Sequence, residues 1–520
     1  MANRYKPAMS TSAAPDDLPP GSRQVAKGAG TALLARAGGV VEIISQPLYV
    51  WLFGLPTYGL YMVLWSAVNL VENFADLGMT SALQRVVPQA KDDAERAGLL
   101  RKAMLLGLIP CLLIALGASL GAHHIAELMN VAAKDRDKLA TGIALFAWAL
   151  PLWAYLEIAT SALRARKAFG PEIRLRVMWE QVMRMVAAIV LSLLGADTLG
   201  LLMAHLCSLA LTCIFSTRLL ARYYRLDLVV KGGGRRDPEM TLRTLLAGLA
   251  VLPSNIVSRL FADAPPLILN AIIPGAGGAS AAGLFAIARK LASGVQLIRQ
   301  AFSYVMAPLA SEAARHDRRH ILEIYGFATR LTIAVATPVV CTIAGGGRAL
   351  LALFGSAAQP AFFALALLTF TRLIEAVAGQ AAAIQSVISR YHHPLIGSAI
   401  GLAAALAVGA LLLPQGGMDG MAIAVSTGIA ISVLAPMAQL WIHDRLHPFA
   451  PPFLRTAGVS ILVGTGILAL SQALTPFHHL VRIGVGVLML AGGIWLSGRF
   501  GLGREDKLAL GKTAERLRLV

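Results

Sequence analysis

The sequence predicts an all-α polytopic membrane protein of about 14 transmembrane helices: two parallel six-helix halves plus two C-terminal helices, with both termini cytoplasmic. Three observations predict it. Of the 520 residues, 57% are hydrophobic and only 14% charged, where soluble domains carry roughly 25% charged residues. Apolar stretches long enough to cross a bilayer recur from end to end. The 46 Lys and Arg residues concentrate in alternate loops, the asymmetry that orients membrane proteins.

Residues 1–27 are polar and lack the short apolar core of a cleaved leader, so the first apolar segment is expected to be retained. The spans are read at 28–53, 57–84, 99–121, 140–163, 177–196, 199–220, 246–273, 281–307, 328–346, 361–388, 395–413, 419–441, 456–474 and 481–498. They divide the chain into a cytoplasmic tail (1–27), a first half (28–220), a cytoplasmic linker (221–245), a second half (246–441), two additional spans (442–498) and a basic cytoplasmic tail (499–520). The two tails and the loops after even-numbered spans, counted with Arg101, Lys102, Arg218 and Arg330 at the adjoining span ends, hold 34 Lys and Arg. The opposite loops hold five, Lys134, Arg136, Lys138, Arg348 and Arg482. That split places both termini inside. It makes the net charge of +18 a topology signal and a cationic face toward anionic headgroups, not a nucleic-acid footprint.

The halves share a weak repeat. A shift of 224 lays "YGLYMVLWSAVNLVENFADLG" (58–78) on the segment from residue 282, pairing Gly59 with Gly283, Glu72 with Gln296 and Asp76 with Gln300. The offset equals six spans, so the halves are parallel. Repeats of this kind place substrate sites between them.

The polar residues inside the spans keep helical spacing. In span 2, read as one helix, Trp65, Asn69, Glu72, Asn73, Asp76 and Thr80 share an arc of about 100°, either a seam that glues helices or the wall of a wet cavity. In span 7, Asn255, Arg259, Asp263 and Asn270 share a face, Arg259 and Asp263 being spaced to neutralise each other. Pro265-Pro266 is expected to interrupt that helix. Span 8 carries Arg289, Lys290, Gln296, Arg299 and Gln300. Lys290 is expected to snorkel to the outer interface, and Arg299 has no acid within its own helix turn. Arg372 and Glu375 form a potential pair in span 10, and Arg36 and Glu42 lie in span 1. Glu157, Glu180 and Arg184 are expected at interfaces or in structural roles. Read this way, one wall is acidic and the other cationic. The candidate anion-binding set is Arg299, Arg259, Arg372, Arg289 and Arg36, with Gln296, Gln300, Asn69, Asn73 and Asn255 lining the space. Asp76, Glu72, Asp263 and Glu375 are the candidates for coupling to H⁺ or Na⁺.

No phosphate-binding loop, metal-ligand spacing or Ser/His/Asp order is present, so no cofactor, metal or catalytic residue is expected. Cys111, Cys207, Cys213 and Cys341 all fall inside spans, as apolar fillers.

The stretch "YGLYMVLWSAVNLVENFADLGMTSALQRVVP" (58–88), the turn "LRARKAFGP" (163–171) and the two parallel halves resemble the polysaccharide transporter branch of the multidrug/oligosaccharidyl-lipid/polysaccharide exporter superfamily. The resemblance covers spans 1 to 12. It implies a flippase in the bacterial inner membrane, moving an undecaprenyl-diphosphate-linked oligosaccharide for O-antigen, capsule or exopolysaccharide. Membrane lipids, a polysaccharide polymerase and glycosyltransferases would be its partners. The two extra spans are similar to those of the lipid II flippase branch, where they form a groove for the lipid tail. A cation-coupled multidrug antiporter of the same fold is the alternative. A membrane glycan polymerase or ligase would need a larger extracytoplasmic loop than the chain has, and a non-transporting scaffold is a further alternative.

Overall fold

A computed structural model describes residues 39–166, 168, 174–231, 238–249, 251–313, 318–388 and 392–519. Among them there is no strand. The first half comprises α1 (Gly39–Phe53), α2 (Leu55–Ala75), α3 (Met79–Val86), α4 (Asp93–Leu120), α5 (Ala122–Glu127), α6 (Ala133–Phe146), α7 (Ala149–Ala165), a π-helical turn (Arg174–Trp179), α8 (Glu180–Leu193) and α9 (Thr198–Leu220). The linker contributes α10 (Leu226–Lys231) and α11 (Pro238–Leu249). The second half follows as α12 (Leu252–Ile272), α13 (Ala276–Ala313), α14 (Arg318–Gly345), α15 (Gly347–Ala352), α16 (Phe362–Ile388) and α17 (His392–Asp444). Then come α18 (Pro451–Ala473), α19 (His479–Leu496), α20 (Arg504–Leu510) and α21 (Lys512–Arg516).

The described residues of the predicted spans are largely helical. Nine described helical segments are long and apolar enough to cross a membrane. One of them, Ile396–Asp444, turns at Gly417 (φ 48°), between predicted spans 11 and 12. Apolar surface here faces outward. Only 22% of the most apolar part of α4 is buried, and Leu113 and Leu120 stand exposed, whereas 72% of that of Ile321–Gly345 is buried inside the second half. In hydrocarbon, an exposed leucine costs nothing and polar side chains turn inward.

Two helix breaks differ from expectation. Span 2 is not one helix. Leu77 (φ 52°) and Gly78 (φ 73°) adopt left-handed backbone, ending α2 and restarting the chain as α3. In span 7, α12 runs through Pro265 and Pro266, and the break lies instead at Val251, between α11 and α12. The physical reason is that these breaks belong to a helix crossing. A Cβ at Gly78 would lie 2.4 Å from the Gly248 carbonyl oxygen, and one at Gly248 would lie 2.4 Å from that of Leu77. Backbone this close leaves room only for glycine.

The halves meet where α2 packs on α12 and α13. At this seam the repeat-related Gly59 and Gly283 touch. A Cβ on Gly283 would sit 3.0 Å from the Gly59 Cα, and one on Gly59 would sit 1.8 Å from the Ala279 carbonyl oxygen. Small residues let membrane helices approach in this way. At the C-terminus, Arg330 Nε and Nη2 of α14 donate to the Asp506 carboxylate of α20 at 2.9 and 2.6 Å. Leu502, Ala509, Ala514 and Leu519 are buried beside it, so the basic tail is folded onto the second half. The four cysteines are free; Cys207 is exposed and the others buried.

Candidate functional site

The acidic side of the seam is built on α2. Asn69 and Glu72 are buried, and the Asn73 Oδ1 has no hydrogen-bond partner among the described residues. Glu72 is 3% exposed. Among the described residues no hydrogen bond or ion pair engages it, and the charges that act on it are Glu157, Asp76, Arg259 and Arg176. Asp76 has a different place. Its Oδ1 accepts from the Gly78 N–H at 2.7 Å and its Oδ2 from the Thr80 N–H at 3.2 Å. It therefore holds the left-handed turn and caps the start of α3, which takes Thr80 off the α2 arc. The coupling role expected of Asp76 competes with this backbone role, because both carboxylate oxygens are engaged.

The cationic side is built on α12, α13 and α16, as two triads. Asp263 lies between Arg259 at 3.8 Å and Arg289 at 3.7 Å. Glu375 lies between Arg299 at 3.1 Å and Arg372. In each, one arginine sits a helix turn from the carboxylate and α13 supplies the second. A buried charge without a counter-ion costs several kcal/mol, which is why Arg299, lacking an acid within its own helix turn, finds one on α16. Gly379 makes the room, since a Cβ there would lie 3.0 Å from the Arg299 Cδ. Lys290 pairs with Glu42 of α1 and does not snorkel outward. Two carboxylates among four guanidiniums leave a surplus of positive charge. Asp263 and Glu375, each already matched by two guanidiniums, offer no net negative charge to a coupling cation. The Arg259 and Arg299 side chains remain 36% and 28% exposed, so both reach accessible space.

Asn255 donates to the Ser81 Oγ of α3 at 3.4 Å, joining the halves. Gln296 is half-buried on α13. Arg36 and the Gln300 side chain lie outside the described residues.

The first half also contains a buried polar core built on Glu157, Glu180 and Arg184, for which the sequence left interfacial and structural roles open. Arg184 pairs with Glu180 and donates to the Tyr61 hydroxyl at 3.3 Å, which lies 3.1 Å from the His205 Nδ1. Glu157 pairs with Arg176, whose guanidinium stands 4.7 Å over the Trp153 ring. His205 packs against Trp65 at 4.2 Å between centroids. The i, i+4 spacing of Glu180 and Arg184 was the available signal; His205 offered none.

Residues 25–314 match the family described as polysaccharide biosynthesis protein. No curated protein matches the chain. Among solved structures it is similar to the lipid II flippase MurJ in an inward closed conformation, at 13% identity and a TM-score of 0.69, covering 89% of this chain and 97% of that one. It is also similar to an inward-facing multidrug resistance MATE family transporter of the MOP superfamily, at 16% identity and a TM-score of 0.60, covering 82% and 94%. A third is a MOP superfamily transporter from Pyrococcus furiosus whose binding pocket of reverse polarity suggests a different function, at 15% identity and 0.60, covering 84% and 99%. These likenesses establish a shared fold.

Proposed function

The chain belongs to the polysaccharide biosynthesis protein family, and from that premise we propose that it is a flippase for a polyprenyl-diphosphate-linked oligosaccharide in the bacterial inner membrane. It works by alternating access between its two halves, coupled to an H⁺ or Na⁺ gradient, and serves O-antigen, capsule or exopolysaccharide synthesis. Glycosyltransferases supply its substrate and a polymerase consumes it.

The observation that carries this reading is the pair of Arg–carboxylate–Arg triads along α13. Guanidinium forks match phosphate oxygens in twos, and each triad keeps charge beyond what its carboxylate neutralises. Arg289 and Arg299 are ten residues apart on one helix, about 15 Å along the seam. A diphosphate leaving one triad therefore meets the next as it crosses. The sugar occupies the polar space lined by Asn69, Asn73, Asn255 and Gln296, while the polyprenyl tail stays in lipid. Glu72, buried and with no ion pair among the described residues, is the group suited to the coupling ion.

The test is export in cells. With Arg299→Gln and Arg259→Gln combined, surface glycan is expected to fall at least roughly tenfold, the value of one lost charge-assisted hydrogen bond, while lipid-linked units accumulate on the cytoplasmic leaflet. Normal surface glycan at equal protein level would sink the diphosphate clamp. The antiporter reading has one observation of its own, the uncompensated Glu72, which would attract a cationic drug. It predicts drug sensitivity on deletion, with unchanged glycan.

A further inference from the structure

The face opposite the Lys- and Arg-rich loops carries a contact that the polar seam does not explain. There the loop between α5 and α6 is held stiffly. Arg136 Nη1 donates to the carbonyls of Ala126 and Met129 at 3.2 and 3.3 Å. Asp135, fully buried, accepts from the Thr57 Oγ1 at 3.3 Å and from the Thr198 Oγ1. Asp135, Thr57 and Thr198 lie in the first turns of α6, α2 and α9. Three positive helix ends thus converge on one carboxylate, and the loop moves with the first half.

This loop presents Asn130 to the turn between α12 and α13 in the second half. The Asn130 N–H donates to the Asn270 Oδ1 at 3.2 Å, and the Asn130 Nδ2 donates to the carbonyls of Asn270 and Ala271 at 2.8 and 3.4 Å. In return the Asn270 Nδ2 donates to the Asn130 carbonyl at 2.6 Å, and the Gly275 N–H donates to the Asn130 Oδ1 at 3.2 Å. The receiving turn is shaped for this. Gly275 sits at φ 64°. A Cβ on Gly278 would lie 2.3 Å from the Ile273 carbonyl oxygen and 3.1 Å from the Asn130 Cβ. The ties between halves described above, Asn255 to Ser81 and Lys290 to Glu42, are single contacts.

We infer that Asn130 and Asn270 form the latch that closes the seam on this face, and that the latch opens once in every transport cycle. The inference rests on the alternating-access reading but not on the identity of the substrate. The two asparagines hold both the side chain and the backbone of one another. Closure is therefore register-specific, and a separation of a few ångströms releases all the bonds together.

The experiment uses the full chain in cells, with Cys111, Cys207, Cys213 and Cys341 replaced by serine and a reporter Ala282→Cys. Ala282 is fully buried, beside Gly283 on α13. A membrane-impermeant maleimide added outside is expected to label the reporter slowly in the parent. In the Asn130→Ala or Asn270→Ala variants it labels roughly two- to tenfold faster, the shift that a lost hydrogen bond gives. The pair Asn130→Cys and Asn270→Cys, oxidised, is expected to stop both labelling and glycan export, and reduction to restore both. Unchanged labelling in the alanine variants, or export continuing with the disulfide formed, overturns the latch. Should the alanine variants not fold, the cysteine pair decides alone, because its oxidised and reduced forms are one folded protein. Labelling needs no substrate, so a normal latch response alongside failure of the arginine test would count against the flippase reading only.

Discussion

Asp76 shows how one side chain can be read correctly for position and differently for role. Its helical spacing from Asn69 and Glu72 is a true signal, and it lies on the predicted seam. Its carboxylate, however, binds the Gly78 and Thr80 amides. Asp76→Asn keeps one acceptor oxygen and is expected to export glycan normally, whereas Asp76→Ala loses the cap and about 1 kcal/mol of stability, read as a lower melting temperature in detergent. Glu72→Gln, by contrast, is expected to leave stability intact and make export independent of the ion gradient. If Asp76→Asn abolished gradient dependence and Glu72→Gln did not, the two roles would be exchanged. The sequence showed that Asn69, Glu72 and Asp76 share one face of span 2 because the 3.6-residue period is local. It could not show that Arg299 pairs with Glu375, because that needs α13 beside α16.

At the scale of elements, the glycines of the seam decide how near two helices come. Replacing a glycine in a helix interior by alanine ordinarily adds up to about 1 kcal/mol. Gly59 should reverse that sign, since its Cβ would meet the Ala279 carbonyl oxygen, which is backbone and cannot rotate away. Gly59→Ala is therefore expected to reduce the yield of folded protein. Gly466→Ala on α18, with nothing within 4 Å of the new methyl, should be neutral or stabilising. Thermal melts of the two variants check the contrast, and equal melting temperatures would contradict the close crossing. The repeat predicted that Gly59 and Gly283 occupy equivalent places. Their contact follows only when the two halves close on each other.

At the scale of the molecule, the C-terminal tail is part of the second half. Asp506 receives both the Nε and Nη2 of Arg330 while buried. Asp506→Asn leaves that guanidinium uncompensated and is expected to cost about 3 kcal/mol, with the tail becoming protease-sensitive below the main melting transition. An unchanged melt and intact tail would show the pair to be incidental. The sequence by itself determined the membrane class and the polar faces of single helices, and its resemblance to known exporters pointed to the family. The class and the faces follow from composition and from periodicity along a single helix, and the bilayer enforces both. Only the tertiary structure decided which polar group answers which: Glu375 to Arg299, Asp263 to Arg289, Glu42 to Lys290, Asn130 to Asn270. It also decided that the helix breaks sit at a glycine crossing and not at the prolines. Ion pairing and close approach depend on which helices are neighbours, and neighbours are set by packing between segments tens to hundreds of residues apart, which no local pattern encodes.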